Sequence, residues 1–163
     1  MADKQPSEEI VVKEYPHSTR WLKGQQVIGS GNLILTSKRL VFLHEVVATD
    51  EQIEKMQKIA ERAPVNRLLD FAISLYKQNF QIPLASLVLV KVGLYSLFPF
   101  PRPCLRVFYG SGRKKGQMKT VSFMFTIPLL RGFFQFEITT VLGWVWSIRR
   151  VLRYRQETAA KTV

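Results

Sequence analysis

Cysteine and histidine are scarce in this chain of 163 residues, and the motifs of catalytic sites are missing. The single cysteine, Cys104, excludes an internal disulfide and cannot form a zinc site by itself. The two histidines, His17 and His44, do not stand at a metal-ligand spacing from it. No nucleophile elbow, paired-carboxylate motif or Walker loop is present. The sequence therefore predicts a protein that is not an enzyme and that has no metal site and no cofactor.

Uninterrupted apolar runs of membrane-spanning length and a secretory leader are also missing. Residues 1–9 are polar and acidic, which is not the pattern of a signal peptide. Two longer apolar stretches, residues 82–100 and 120–148, are broken by Lys91 or by proline and glycine, which favours strands, loops and buried helix over a span. We therefore expect a cytoplasmic protein. Peripheral docking on a membrane surface is compatible with this location.

Acidic residues are missing from the middle of the chain, between Asp70 and Glu137, where nine basic residues occur. The formal net charge is +12, and residues 61–163 hold the entire excess, because residues 1–60 balance eight basic against eight acidic residues. Such a surface attracts anions such as lipid headgroups, although excess basic charge also serves solubility. Nucleic acid is the less favoured partner, because no helix-turn-helix, zinc-finger or RNA-recognition pattern is present.

Among the patterns that are present, residues 31–43 are the most informative. Apolar residues alternate on both sides of the polar break Thr36-Ser37-Lys38-Arg39, which predicts a β-hairpin with one face packed inward. An earlier short strand is predicted over residues 9–15, followed by a polar connection over 16–23. Residues 105–109 and 119–125 predict a second hairpin, and the proline-rich residues 96–104 before it predict a loop.

Helical periodicity appears twice. Thr49 with Gln52 matches a capping box, and apolar residues recur at spacings of three and four up to residue 80, with Pro64 marking the start of a second helix. Residues 134–154 repeat the same spacing and predict a terminal amphipathic helix. Residues from Gln156 onward are predicted to fray.

The pattern of residues 31–43 resembles the signature of GRAM domains, members of the pleckstrin-homology-like superfamily. That signature contains a Gly, an apolar strand ending in Thr, a Lys-Arg turn and an apolar strand ending in Phe. The resemblance implies an α+β fold: a bent antiparallel β-barrel or sandwich of about seven strands with a C-terminal capping helix. It implies one domain over residues 9–154, with an inserted helical pair at about 49–80, a flexible N-terminus at 1–8 and a flexible tail at 155–163.

Basic side chains form the predicted ligand site, since in families of this shape the lipid or peptide site lies in loops at the open end of the barrel. The tip of the second hairpin carries three adjacent cations between glycines, with no acidic residue near them in the sequence. An ordinary solvated turn is the alternative interpretation of this tip. The predicted lipid-binding residues are Arg20, Lys23, Lys38, Arg39, Arg113, Lys114, Lys115 and Lys119. The predicted membrane-insertion residues are Phe98 and Phe100.

Two functions follow from these patterns. The first is a non-catalytic GRAM-like or PH-like module that binds anionic membrane lipid, with phosphoinositides among the candidates, through its basic surface. The alternative is a protein-interaction or adaptor domain that uses the inserted helices and the sheet edge. The two functions predict different responses to salt, because only the first depends on surface charge.

Overall fold

The computed structural model describes residues 8–23, 26–46, 49–61, 63–96, 101–110, 117–126 and 134–160. The described elements are β1 (Val11–Lys23), β2 (Gln26–Thr36), β3 (Arg39–His44), α1 (Asp50–Ala60), α2 (Val65–Leu75), β4 (Phe80–Pro83), a 3-10 turn (Leu84–Ser86), β5 (Leu87–Ser96), β6 (Pro101–Gly110), β7 (Met118–Phe125) and α3 (Phe134–Ala160).

The described strands form one antiparallel sheet in the order β4-β3-β2-β1-β7-β6-β5. The sheet is not closed, because β4 and β5 stand at its two ends. The sheet nevertheless bends around one core, because Ile82 on β4 and Val90 on β5 belong to the same buried cluster. The predicted α+β architecture, with seven strands, an inserted helical pair and a C-terminal helix, is confirmed.

The predicted hairpin of residues 31–43 is formed by β2 and β3. Leu33 pairs with Phe42 and Leu35 pairs with Leu40, and all four side chains face the main core. The alternate residues Ile34 and Val41 are also buried, but on the other face, where Leu69 of α2 covers them. Burial on both faces explains why these two strands are almost continuously apolar rather than strictly alternating.

Gly31 is needed in this hairpin because the two backbones approach closely. A Cβ atom at this position would lie 2.0 Å from the backbone oxygen of Leu43. At the turn, the Thr36 hydroxyl accepts hydrogen bonds from the backbone N–H groups of Lys38 at 3.1 Å and Arg39 at 2.9 Å. The Thr36 side chain thus stabilises the β2–β3 turn.

The helices follow their sequence signals except at the end of α2, which ends at Leu75, so that Phe80, predicted as its last apolar position, begins β4 instead. The Thr49 side chain accepts from the backbone N–H of Gln52, whose side chain accepts in return from the Thr49 N–H, so the predicted capping box is present. No residue of α1 is buried, whereas Leu69 and Ala72 of α2 are. The terminal helix α3 packs Trp144 against Phe125 in a stacked arrangement at 5.7 Å. It extends beyond the predicted end at residue 154 to Ala160, and its last residues are exposed.

Two predictions of irregular structure were wrong. Residues 16–23 belong to the long strand β1, whose pairing register shifts between Tyr15 and Thr19, where the sequence has Pro16. Residues 101–104 belong to β6, although they contain two prolines. Over these four residues β6 pairs with β5, and the pairing with β7 begins only at Leu105, so an N–H group on that side is not required.

Candidate anion-binding groove

A groove of about 610 Å³ lies where the end of β1, the turn before β4 and the two flanks of the β6–β7 connection come together. Three lysines and three aromatic residues are prominent in its lining: Lys23, Lys77, Lys119, Trp21, Phe80 and Tyr109. We call this the lysine groove. Because a water molecule takes up about 30 Å³ of liquid, the volume is sufficient for a ligand considerably larger than a single small ion.

Each lysine is held at the groove by a different part of the sheet. Lys23 is the last residue of β1 and pairs with Gln26 at the start of β2. Lys119 lies near the start of β7 and pairs with Tyr109 on β6. Lys77 stands in the turn between α2 and β4. The groove is therefore assembled from residues that are distant in sequence but share one end of the sheet.

The turn that carries Lys77 is fixed by Asn79. The Asn79 amide donates to the backbone oxygen of Ala72 at 2.7 Å and accepts from the backbone N–H of His44 at 2.6 Å. These two bonds connect the turn to α2 on one side and to β3 on the other. Lys77 is thus presented by an anchored turn.

Aromatic rings form the apolar part of the groove. Trp21 and Phe80 lie with ring centroids 4.9 Å apart, and Phe80 stacks on the buried Phe42 at 5.5 Å. Phe123, which is also buried, lies 6.2 Å from Phe80 and extends the cluster into the core. Packing against the core restricts the rings that face the groove, so the shape of this wall is set before any ligand binds.

The electrostatic character of the groove is positive. No carboxylate lines it, and the salt bridges found in the described ranges do not use Lys23, Lys77 or Lys119. Burial raises the pKa of the Tyr109 phenol, which keeps this hydroxyl protonated and able to donate a hydrogen bond. The arrangement offers three ammonium groups and one neutral donor to an anion.

The structure brings together two of the predicted lipid-binding residues, Lys23 and Lys119, and places three elsewhere. Arg20 pairs with Ser30 and Met124 in the middle of the sheet and does not line the groove. Lys38 lies in the β2–β3 turn, at the opposite end of β2 from Lys23. The eleven residues of β2 correspond to about 33 Å of extended chain, so Lys38 and Lys23 cannot bind the same headgroup.

Arg39, the remaining predicted residue in the hairpin, is held inside the protein. Its guanidinium donates to both carboxylate oxygens of Glu9, at 2.9 and 3.0 Å, and forms a salt bridge with Asp70. Burial acts to lower the pKa of Arg39, but the hydrogen bonds and charges of Glu9 and Asp70 outweigh it and raise the pKa. Arg39 therefore joins the start of the domain, the hairpin turn and α2, and it is not part of the lysine groove.

The other predicted site residues, Phe98, Phe100, Arg113, Lys114 and Lys115, lie outside the described residues. Lys77, which lines the groove, was not among the predicted site residues. The signal that could have found it is topological: β4, which follows this turn, pairs with β3, so the turn had to lie at the same end of the sheet as the β1–β2 connection.

The described residues contain neither a candidate membrane span nor a candidate metal site. No helix there is both long enough and apolar enough to cross a bilayer. No group of three or more His, Cys, Asp or Glu side chains in the same ranges is arranged to hold a metal ion.

Comparison with known proteins gives a likeness to solved structures. No family model matches the sequence, and no curated protein matches it. Among solved structures, the chain is similar to the Vps36 N-terminal PH domain, with 14% sequence identity, a TM-score of 0.47, and coverage of 89% of this chain and 83% of that chain. The strand order and the terminal helix described above agree with the expected architecture, an antiparallel sheet of about seven strands with a C-terminal helix.

Proposed function

We propose that this protein is a non-catalytic module that binds anionic membrane lipid, with the lipid headgroup in the lysine groove. The observation that supports this most strongly is the convergence of Lys23, Lys77 and Lys119 on one groove that no carboxylate lines. Phosphorylated headgroups suit the groove, because ammonium groups bind phosphate oxygens as point charges and the Tyr109 hydroxyl supplies a further donor. Phosphoinositides, which carry several phosphates, are the preferred class.

Basic residues in the β6–β7 connection form a second part of this proposal. Arg113, Lys114 and Lys115 stand in the sequence between Tyr109 and Lys119, which both line the groove. We assign these three cations to a second, weaker layer of contact with the anionic bilayer around the bound headgroup. Phe98 and Phe100 remain the candidates for apolar insertion beside it.

The expected strength of the groove follows from its charge. A lysine near an anionic bilayer contributes about 1 kcal/mol, so three lysines contribute about 3 kcal/mol. This corresponds to a change in affinity of about two orders of magnitude. Exposed charges are screened within about 8 Å at physiological ionic strength, so binding should weaken as salt is raised.

Vesicle co-sedimentation tests the proposal. The wild-type protein is mixed with vesicles of phosphatidylcholine alone, with added phosphatidylserine, and with added phosphatidylinositol bisphosphate, each at low and raised salt. We expect binding that requires the anionic lipids, is strongest with the phosphoinositide and falls with salt. Binding that is indifferent to lipid charge and salt would refute the proposal.

Matched charge variants locate the site. Replacing Lys23, Lys77 and Lys119 together by glutamine should weaken vesicle binding by about two orders of magnitude. The control replaces Lys55, Lys58 and Lys91 by glutamine, which removes the same charge from exposed positions that do not line the groove. Equal losses in the two variants would show that net charge, and not the groove, attracts the membrane.

The second candidate function is a protein-interaction domain, and the inserted helices and sheet edge supply specific observations for it. None of the residues of α1 is buried, and the end strand β5 exposes Val88 and Leu94. Such surfaces are typical of contacts with other proteins. If the protein ignores anionic vesicles but forms a salt-resistant complex that Val88→Lys abolishes, this second function is the correct one.

A further inference from the structure

A second concave surface lies between the start of β1 and the outer side of α3, away from the lysine groove. Two adjoining cavities, of about 310 and 530 Å³, share Ile10, Ser37, Val151 and Tyr154 in their lining. Because they share these residues, they form one continuous surface, which we call the terminal-helix groove. None of its lining residues belongs to the lysine groove.

The terminal-helix groove contains large apolar side chains that are unusually exposed. Ile10 is 58% exposed and Tyr154 is 69% exposed, and Trp146 at the rim is 62% exposed. Residues of this size and character normally bury most of their surface, and several of them together on a folded domain mark a binding surface.

The dimensions of the groove fit a short extended chain. On α3 its lining runs from Trp146 to Ala159, thirteen residue rises along the helix, which amounts to about 20 Å. A fully extended peptide covers this length with about six residues. A concave, elongated apolar surface of this kind is suited to a peptide rather than to the flat surface of a bilayer.

The backbone of β1 offers a second element of recognition beside the groove. Over residues 11–15, β1 pairs with β2, while the pairing with β7 is confined to residues 19–22. Its second edge is therefore not covered by any strand of the described sheet at residues 11–15. A peptide lying along this edge can add main-chain hydrogen bonds to its apolar contacts.

The charges around the groove determine which peptide fits. Lys38, Arg150 and Arg155 line it, against the single carboxylate of Glu8 at one end. No ion pair in the described ranges uses any of these three cations, and the Arg150 guanidinium lies 5.2 Å from the Trp146 ring centroid. A ligand with carboxylates flanking its apolar side chains would complement this rim.

We infer that the terminal-helix groove binds a short, extended, acidic peptide segment of a partner protein, whose apolar side chains contact Ile10, Val151 and Tyr154. Lys38, predicted from the sequence as a lipid ligand, belongs to this groove instead. The module would then hold membrane lipid on one surface and a protein on another. The inference does not depend on lipid binding, because the two grooves have no lining residue in common.

Selection from a displayed library of random short peptides tests this inference with the full chain as bait. We expect enrichment of sequences that combine Asp or Glu with apolar residues. One enriched peptide is then synthesised with a fluorescent label and titrated by anisotropy. Its affinity should fall about tenfold or more with Arg150→Glu and with Tyr154→Ala, because each removes a central contact.

Matched variants separate this site from its surroundings. Arg153→Glu makes the same charge reversal on the exposed surface of α3 but outside the groove lining, and it should change the affinity less than about threefold. The variant with Lys23, Lys77 and Lys119 replaced by glutamine should bind the peptide as the wild type does. Circular dichroism and thermal unfolding confirm that each variant is folded.

Several outcomes would overturn the inference: no enriched peptide, enriched peptides that are not acidic, or binding that Arg150→Glu and Tyr154→Ala leave unchanged. If phosphatidylserine vesicles bind through this face, so that Arg150→Glu but not the lysine-groove variant abolishes their binding, the groove is a membrane contact and the peptide assignment is wrong. Loss of vesicle binding in the lysine-groove variant with peptide binding retained would support both proposals separately.

Discussion

Replacing Arg39 by glutamine should destabilise the protein by about 3 kcal/mol. The Arg39 side chain is 12% exposed and that of Glu9 is 3% exposed, so the substitution leaves a buried carboxylate without its cation. Removing one partner of a buried ion pair costs about 3–5 kcal/mol. We expect the lower end of that range, because Glu9 keeps the hydrogen bond from the Thr36 hydroxyl at 2.6 Å and Asp70 is mostly exposed.

Urea unfolding followed by tryptophan fluorescence measures this loss, and thermal unfolding gives a second estimate. For a chain of this length, about 3 kcal/mol corresponds to a fall in Tm of about 6–12 °C. The neighbouring substitution Lys38→Gln is the matched control, because Lys38 is exposed. It should change the stability by less than about 0.5 kcal/mol.

Arg39→Gln should also leave the vesicle affinity of the folded protein unchanged, since Arg39 does not line the lysine groove. If Arg39→Gln costs less than about 1 kcal/mol, or if it weakens vesicle binding while the fold is intact, the structural role assigned to Arg39 is incorrect.

Three further predictions concern the sheet and its buried groups. Gly31→Ala should destabilise the protein by about 2 kcal/mol in urea unfolding, because the new Cβ would lie 2.0 Å from the Leu43 backbone oxygen. The control Gly110→Ala should have little effect, because its Cβ would be 3.9 Å from its nearest neighbour. The buried Cys104 thiol should react with a maleimide much more slowly in the native protein than in urea, and fast native labelling would contradict its placement. Burial raises the pKa values of Cys104 and Tyr109 in the folded state. The free energy of unfolding should therefore stay level below the ordinary thiol pKa and fall as the pH rises through the raised values. A stability that increases in alkali would show that these groups are not buried.

The sequence was sufficient for the elements whose signals are local. The hairpin pattern of residues 31–43, the Thr49 capping box and the helical spacing after residue 134 depend on neighbours within a few positions. The structure confirms all three elements, although the hairpin is buried on both faces and not on one face as predicted. The strand over residues 101–104 was missed for the opposite reason. Proline is tolerated there because β7 pairs with β6 only from Leu105 onward, and sequence alone does not show where a pairing partner begins.

The candidate site was only partly predictable for the same reason. Lys23 was predicted from the resemblance, as a basic residue near the first strand and loop, and Lys119 from its place beside the basic hairpin tip. The sequence could not show that Lys77 lines the same groove, because this depends on how β4 pairs with β3. Arg39 was indistinguishable from Lys38 as a basic turn residue. Its separate role depends on Glu9 and Asp70, about thirty residues away on either side, whose contacts exist only in the folded chain.

The most direct test of the lysine groove as the lipid site is a titration of isotope-labelled protein with a short-chain phosphatidylinositol bisphosphate, followed by amide chemical shifts. The groove predicts saturable shifts that are largest around Lys23, Lys77 and Lys119 and that disappear when the three lysines are replaced by glutamine. Shifts centred on the β2–β3 turn or on α3, or no saturable shifts at all, would contradict the account.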